Sequence, residues 1–231
     1  MRAGTYNFKL RAVRDIRARH MKDGIKIPNL TDIDMIVFDV DGTLMDRSGM
    51  PEGLIGLVKE IEKNGVSVSL ASGRTLPNLT PVHQALGLSG FIVAENGGIL
   101  WDGPKKRGIE PMANGERCRD AIEWLAGEMQ EIDPEGIESN RWRETEWCVS
   151  GPYDVDRMRT LLADSEWSDL RVVGTGFAIH VTERGVNKRS ALEIQLSRRE
   201  IDPSRVLSCG DAMNDVPMFN LTGYSVAVDG A

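Results

Sequence analysis

The order of apolar segments from residue 33 onward constrains the fold most strongly. Residues 33–38 form a nearly continuous apolar run, which is typical of a parallel strand buried on both faces. A helical pattern follows over residues 51–64, and two further strand patterns cover residues 66–70 and 91–94. This β-α-β-α-β order predicts a doubly wound parallel sheet of the Rossmann-like α/β class.

The same alternation returns after residue 185. It predicts a helix over residues 187–198, a strand over 206–209, a helix over 216–221 and a strand over 225–228. These segments complete the α/β core predicted from the first half of the chain.

The middle of the chain has a different pattern, in which short strands come in pairs between amphipathic helices. Helices are predicted over residues 114–129 and after Asp154, and strands over 99–101, 137–140, 146–150, 170–174 and 177–182. Such a pattern indicates a small α+β cap domain inserted into the core. The predicted domains are a basic extension (1–30), a core (31–97 and 184–231) and the cap (98–183).

Composition excludes several classes of protein. Hydrophobic residues make up 41% and charged residues 27% of the chain, as in ordinary globular proteins. A net charge of −7 argues against a nucleic-acid binder, and no apolar run reaches the roughly 20 residues that span a bilayer. The cysteines lack CxxC spacing, which favours reduced thiols. We expect a cytoplasmic protein without nucleic-acid or membrane partners.

The first 30 residues are rich in Lys and Arg, and their acidic residues are Asp15 and Asp23. This composition fits a targeting presequence, a solvated extension, or an upstream start codon chosen over Met35. The solvated extension and the alternative start are favoured, because the apolar face of the segment is thin.

Two carboxylates follow the first core strand in an Asp-Val-Asp-Gly-Thr motif over residues 39–43. Asp39 and Asp41 would lie at the carboxyl edge of the sheet, where ligands of α/β proteins bind. A buried carboxylate needs a cation, so Asp39 should meet one. The alternative is a polar turn, because Asp-Gly is a common turn pair.

A second polar cluster follows the strand at residues 206–209 and contains Asp211, Asn214 and Asp215. Two acidic clusters at one sheet edge would repel each other unless a hard cation lay between them, and Mg²⁺ takes oxygen ligands. The alternative for Asp211 or Asn214 alone is capping of the next helix.

Two further segments supply groups that bind phosphate. Lys188 lies in the first turn of a predicted helix, where a cation opposes the macrodipole, so a carboxylate or phosphate partner is expected. Ser72, Gly73 and Arg74 end the second strand, where a hydroxyl and a closely approaching amide could hold a phosphoryl oxygen. The alternatives are a solvated lysine and a simple turn.

The four segments, in this order, resemble the haloacid-dehalogenase superfamily of phosphohydrolases. The insertion before Lys188 is similar to the α+β cap of one subgroup. Residues 95–98 (Glu-Asn-Gly-Gly) and 139–144 (Ser-Asn-Arg-Trp-Arg-Glu) resemble the archaeal-type phosphoglycolate phosphatases. That family normally starts near Met35 and continues past residue 228, so this chain is expected to carry an extra N-terminal segment and a short C-terminus.

The resemblance implies roles for the carboxylates. Asp39 would be the nucleophile that forms an aspartyl phosphate, and Asp41 the general acid and base. Mg²⁺ would be held by Asp39, by Asp41 through its backbone carbonyl, by Asp211 and by Asp215.

The resemblance also implies the groups that bind a small phosphomonoester. Lys188, Ser72, Gly73 and Asn214 are the candidates at the phosphoryl end. The leaving-group carboxylate of 2-phosphoglycolate would suit a guanidinium from the cap, with Arg143 as the main candidate.

Arg141 is the second cap candidate, and either arginine could instead pair with Glu144 or Glu146. The resemblance allows a homodimer.

Three functions stay open at this point. The chain could be a phosphatase for 2-phosphoglycolate or for a sugar phosphate of the sucrose-phosphate or mannosyl-3-phosphoglycerate type. It could be a phosphomutase, because phosphomannomutases share the opening motif and the cap type. A non-catalytic descendant would be expected to lose Asp39, Asp41 or a metal-binding Asp, and all are present.

Overall fold

The computed structural model describes residues 28–106, 108–175 and 178–228. The strands are β1 (Met35–Phe38), β2 (Ser67–Ala71), β3 (Ile92–Ala94), β4 (Ile99–Trp101), β5 (Ile109–Pro111), β6 (Glu146–Val149), β7 (Leu170–Gly174), β8 (Ile179–Glu183), β9 (Val206–Gly210) and β10 (Tyr224–Ala227). The α-helices are α1 (Leu54–Lys63), α2 (Leu76–Leu86), α3 (Gly115–Glu128), α4 (Val155–Ala163), α5 (Lys188–Ser197) and α6 (Val216–Phe219). The basic extension predicted for residues 1–30 lies outside the described residues, apart from 28–30.

The larger sheet has the order β10-β9-β1-β2-β3-β4-β5. Strands β10, β9, β1, β2 and β3 are parallel neighbours, and β4 and β5 add an antiparallel edge. Buried side chains on the strands pack against the helices, as the continuous apolar runs predicted. The predicted doubly wound α/β core is confirmed.

Central strand β1 has β2 on one side and β9 on the other. Phe38 is in register with Leu70 of β2 and with Cys209 of β9. The residues that follow these strands therefore meet at one carboxyl edge, which brings the 39–43, 72–74 and 211–215 segments together.

Strands β4 and β5 fall within residues 98–183, the range predicted for the cap, but they belong to the larger sheet. Ala94 of β3 pairs with Ile99 of β4, and β4 pairs with β5. The reversal between β3 and β4 uses Asn96 and Gly97, both at positive φ, so the chain turns back along the sheet edge. We propose that the inserted cap spans residues 112–183.

The cap contains a three-stranded antiparallel sheet with the order β6-β8-β7. Helices α3 and α4 pack on one face of it, around Ile122, Leu125, Met158 and Leu162. The side chain of Asn114 accepts a hydrogen bond from the backbone N–H of Glu116 at 3.0 Å, which caps the start of α3.

The strand predicted at residues 137–140 is wrong. Glu138–Trp142 is a 3₁₀ helix. The side chain of Asn140 donates to the backbone oxygen of Cys148 at 2.8 Å and accepts from its N–H at 3.1 Å. A side-chain amide thus occupies the edge groups of β6 that another strand would have used.

The three thiols, Cys118, Cys148 and Cys209, are free and buried, as predicted. Within the described ranges, none of the helices has the length and apolar character needed to cross a bilayer.

Candidate active site

Lys188 lies at the centre of the site, at the start of α5. The side chain of Asn187 caps this helix by accepting from the N–H groups of Arg189 (2.9 Å) and Ser190 (3.1 Å). The Lys188 side chain is fully buried, and its Nζ donates to Oδ1 of Asp39 at 2.7 Å and Oδ1 of Asp215 at 2.6 Å. The partner expected for a lysine in the first turn is therefore a pair of carboxylates.

Burial and charge act against each other in this group. Burial raises the pKa of Asp39 to about 6, although the charge of Lys188 lowers it; Asp215 raises it further. Burial lowers the pKa of Lys188, but the charges of Asp39 and Asp215 outweigh burial, so its pKa is raised. Lys188 therefore stays charged, and its single positive charge is fewer than the two negative charges that Asp39 and Asp215 carry when both are ionised.

Asp211 and Asp215 follow β9 and face Asp39. Asp215 Oδ2 accepts from the backbone N–H groups of Asp211 and Ala212, both at 3.0 Å, which fixes its orientation. Asp211 Oδ1 accepts from Thr43 Oγ1 at 3.3 Å. Burial, followed by the charge of Asp215, raises the pKa of Asp211.

The three carboxylates Asp39, Asp211 and Asp215 offer oxygen atoms that lie within 4.8 Å of one another. Three acidic groups share one buried lysine, so negative charge exceeds positive charge when the carboxylates are ionised, and burial raises the pKa values of Asp39 and Asp211. A donor set made only of oxygens fits a hard divalent cation such as Mg²⁺. The residues present therefore fit the predicted cation.

Asp41 does not join this cluster. Its carboxylate forms a bidentate ion pair with Arg74, with Nε–Oδ2 at 2.7 Å and Nη2–Oδ1 at 2.6 Å, and its side chain is 56% exposed. Arg74 comes from the segment after β2, so the predicted Ser-Gly-Arg segment holds Asp41 beside the site.

Ser72 and Gly73 lie at the same edge. Ser72 is buried, and its hydroxyl accepts from the N–H of Arg74 at 3.2 Å. The carbonyl of Gly73 accepts from Nη1 of Arg143 at 3.1 Å, which links the core to the cap.

A cavity of about 130 Å³ separates the core edge from the cap sheet. Its core side includes Asn187, Lys188 and Asn214, and its cap side includes Glu146, Arg171 and His180. Polar groups from both domains therefore surround the space next to the carboxylate cluster.

Asn214 contributes an amide to this cavity. Its Nδ2 donates to Oδ1 of Asn96 at 3.0 Å, and its Oδ1 is buried without a partner among the described residues. Asn96 in turn donates to Oε2 of Glu146 at 3.3 Å, so Asn214 and Asn96 connect the core edge to the cap.

The two cap arginines predicted from sequence lie elsewhere. Arg143 is buried and forms an ion pair with Glu146, which was the stated alternative for this residue. Arg141 is exposed. Neither is among the residues that line the cavity.

Arg171 and His180 were missed by the sequence analysis. They lie on β7 and β8, on the cap-sheet face that lines the cavity. The signal available in the sequence was a charged or polar residue between apolar neighbours on each strand, Arg171 in β7 and His180 in β8. Such a residue also occurs on solvent-exposed faces, so the sequence could not distinguish the two cases.

Comparison with known proteins assigns the chain to a family. A family model described as haloacid dehalogenase-like hydrolase matches residues 36–141 and 150–231. The chain is 35% identical over 208 residues to the phosphoglycolate phosphatase of Haloarcula marismortui, covering 87% of this chain and 86% of that protein. It is 33% identical over 191 residues to that of Picrophilus torridus, covering 83% and 77%.

Solved structures of other proteins share the fold of this chain. A crystal structure of a Thermoplasma acidophilum protein superposes with a TM-score of 0.73 at 30% identity, covering 82% of this chain and 81% of that one. A haloacid dehalogenase-like hydrolase from Bacteroides thetaiotaomicron superposes with a TM-score of 0.67 at 18% identity, covering 83% and 86%, which shows the fold. The chain belongs to the haloacid dehalogenase-like hydrolases, as the motifs predicted.

Proposed function

We propose that this hydrolase is a Mg²⁺-dependent phosphatase that converts 2-phosphoglycolate to glycolate and phosphate through an aspartyl phosphate on Asp39. The observation that carries the proposal is the fully buried Lys188, bound to Asp39 and Asp215 at the carboxyl edge of the sheet. Relatives from Haloarcula marismortui and Picrophilus torridus that bear the name phosphoglycolate phosphatase support the choice of substrate.

In the first half-reaction, a carboxylate oxygen of Asp39 attacks phosphorus and the bond to the leaving oxygen breaks. Asp41 donates a proton to that oxygen, so glycolate leaves as an alcohol. Arg74 holds the ionised carboxylate of Asp41 when the site is empty, so Asp41 must leave Arg74 and take up a proton from solvent before this step.

In the second half-reaction, water attacks the phosphorus of the aspartyl phosphate. Asp41, now a carboxylate, accepts a proton from the water, and the bond from phosphorus to Asp39 breaks. Phosphate leaves and the Asp39 carboxylate is restored.

Charge stabilisation comes from groups fixed before the reaction. Lys188 places its ammonium next to the attacking oxygen and towards the phosphoryl oxygens, in a site shielded from water. Mg²⁺ would be held by the carboxylates of Asp39 and Asp211 and by the backbone carbonyl of Asp41, with Asp215 orienting these ligands. It would neutralise charge on the transferring phosphoryl group. Ser72, Gly73 and Asn214 would contact the remaining oxygens.

The size of the cavity favours a small substrate. A volume of about 130 Å³ is below the roughly 300–1,000 Å³ of sites for drug-sized ligands. Phosphoglycolate fits this scale better than sucrose 6-phosphate or mannosyl-3-phosphoglycerate does.

The test is phosphate release from 2-phosphoglycolate, sucrose 6-phosphate, mannosyl-3-phosphoglycerate and mannose 6-phosphate, with Mg²⁺ or with chelator. We expect Mg²⁺-dependent release, fastest on 2-phosphoglycolate. The Asp39→Asn variant should lose at least about 10⁴-fold in kcat, because the nucleophile is gone. Asp120→Asn, an exposed acid of α3, is the control and should match the wild type.

Two results would contradict the proposal. Turnover that survives in Asp39→Asn would remove the nucleophile from the mechanism. Conversion of mannose 6-phosphate to an isomer without free phosphate would identify a mutase.

A further inference from the structure

The cap sheet has one apolar and one polar face, set by the alternation of side chains along its strands. Val172, Ile179 and Val181 face α3 and α4 and belong to the cap core. The intervening residues Arg171 and His180 line the cavity above the catalytic edge. The polar face of the cap sheet therefore forms the wall opposite Lys188.

The charges on this wall do not cancel. Glu146 lines the cavity as well, but its carboxylate is paired with Arg143 and hydrogen-bonded to Nδ1 of His180 at 3.1 Å. Lys188 on the opposite wall is matched by Asp39 and Asp215.

Arg171 forms no ion pair with any carboxylate in the described part of the chain. It is thus a cation that lines the cavity without an acidic partner of its own. A bound molecule with a negative group would supply that partner.

The guanidinium of Arg171 is held by one hydrogen bond and has an N–H donor that is not hydrogen-bonded. Its Nη2 donates to the backbone oxygen of Val186. Its Nε is buried and has no hydrogen-bond partner among the described residues. A buried donor left unpaired is unfavourable, so an acceptor is expected when the site is in use.

The contact with Val186 also sets the position of Arg171 relative to the catalytic lysine. Val186 is two residues before Lys188, so the chain between them spans at most about 7 Å. Arg171 and Lys188 both line the cavity, so a second cation borders the same small space as the lysine.

We propose that Arg171 binds the carboxylate of the leaving group and selects short phosphomonoesters that carry one. This inference rests on the proposed phosphatase function and names the residue that would give it specificity. A planar carboxylate suits the guanidinium fork, which presents parallel N–H donors to two oxygens. Arg171 replaces Arg143, whose donors serve Glu146 and Gly73 inside the protein.

The experiment compares 2-phosphoglycolate with 2-hydroxyethyl phosphate, which has similar length but carries a hydroxyl in place of the carboxylate. The measured quantity is the ratio of the two kcat/KM values, which does not depend on the fraction of folded enzyme. Arg171→Ala should lower this ratio by about 10- to 100-fold, the effect of one charged hydrogen-bonding group. Arg171→Lys should lower it less, because the charge remains and the fork is lost.

A charge reversal at Arg171 should produce a new substrate preference, which misfolding cannot produce. Arg171→Glu should shift the preference from 2-phosphoglycolate towards 2-aminoethyl phosphate, whose ammonium would pair with the new carboxylate. Arg141→Ala is the matched control, because Arg141 is an exposed cap arginine outside the cavity, and its ratio should equal that of the wild type.

The outcomes separate the two proposals. If the wild type releases no phosphate from any of these esters, the proposed function fails. If the wild type prefers 2-phosphoglycolate and both Arg171→Ala and Arg171→Glu keep that preference, the assignment of Arg171 is overturned while the function stands. If the wild type hydrolyses the carboxylate and hydroxyl esters equally well, selection of a carboxylate is overturned.

Discussion

Two buried clusters of charged side chains face each other across the cavity, and they differ in the sign of the charge that is left unpaired. At the core edge, Asp39, Asp211 and Asp215 share one ammonium, that of Lys188. In the cap, one carboxylate, that of Glu146, stands among the guanidiniums of Arg143 and Arg171 and the ring of His180. The buried carboxylate of Glu95 also interacts with Arg143 and Glu146, and Arg171 is left without an ion pair among the described residues. The core cluster has excess negative charge, whereas the cap presents one unpaired cation to the cavity.

The difference indicates what each side can bind. Excess negative charge in a desolvated site is stabilised by a cation, which suits Mg²⁺ and then a phosphoryl group. A cation without an ion pair is stabilised by an anion, which suits a carboxylate on the substrate. A small ester with phosphate at one end and carboxylate at the other would satisfy both sides.

The largest effect is expected at the core edge. Lys188→Met leaves the buried carboxylates of Asp39 and Asp215 without their cation, which should lower the free energy of unfolding by about 3–5 kcal/mol. Urea unfolding at pH 7 measures this. Lys63→Met, at an exposed position of α1, should change it by less than about 0.5 kcal/mol. A stable Lys188→Met protein would mean that the pair contributes little to folding.

In the cap, Glu146→Gln tests the corresponding group. The change removes the charge that Arg143 and His180 face, and the expected loss of stability is about 2–3 kcal/mol, less than at the core because the amide keeps some hydrogen bonds. Glu144→Gln, an exposed neighbour, is the control and should match the wild type. Equal stability of both variants would show that the cap network is dispensable.

The contribution of Glu146 should also depend on pH. Burial raises the pKa of this carboxyl, but the charges of His180 and Arg143 outweigh burial and the pKa is lowered below the usual 4.5. A carboxyl with a lowered pKa stabilises the fold above its unfolded pKa and ceases to do so as pH falls through the folded value. The stability difference between wild type and Glu146→Gln should therefore shrink below about pH 4.5.

A smaller effect is expected from a glycine beside the carboxylates proposed to bind Mg²⁺. A Cβ at Gly42 would lie 2.0 Å from Oδ2 of Asp211, so Gly42→Ala must displace that carboxylate. We expect the Mg²⁺ concentration for half-maximal activity to rise by about 10- to 100-fold. Gly49→Ala is the matched control, since Gly49 also has positive φ but has nothing within 4 Å of the added carbon. The same shift in both variants would attribute it to backbone strain.

The smallest effect is expected at the ion pair of Asp41 and Arg74. Both side chains are partly exposed, at 56% and 32%, so water screens the interaction. Arg74→Gln should change the free energy of unfolding by less than about 1 kcal/mol. A loss comparable to that of Lys188→Met would show that this pair is part of the buried network.

Much of the core could be predicted because its signals are local. The strands predicted at 33–38, 66–70, 91–94, 206–209 and 225–228 are all present, with ends shifted by one or two residues. The juxtaposition of Asp39, Asp211 and Asp215 could also be expected, since parallel strands place the residues that follow them at one edge. For Lys188, which follows a cap strand, the sequence left a carboxylate and a phosphate as alternative partners. The roles assigned to these residues remain proposals.

The cap was predicted less well. The segment at 137–140 reads as a strand, but Asn140 bonds to the backbone of Cys148 and holds a 3₁₀ helix instead. Strands β4 and β5 were assigned to the cap, whereas they extend the core sheet. The sequence of a short strand does not indicate which sheet the strand joins, because the pairing depends on which sheet edge is free in the folded molecule.

The sequence by itself determined the α/β core, the inserted cap and the acidic cluster at the strand ends, because apolar periodicity and strand order act within short stretches of chain. Only the tertiary structure decided which cap arginine faces the cavity. Arg143 and Arg171 are alike as residues, and one is paired with Glu146 while the other lines the cavity and forms no ion pair with a carboxylate among the described residues. That difference arises because the register of β7 and β8 places Arg171 on the cavity face of the sheet, whereas Arg143 lies before β6, next to Glu146.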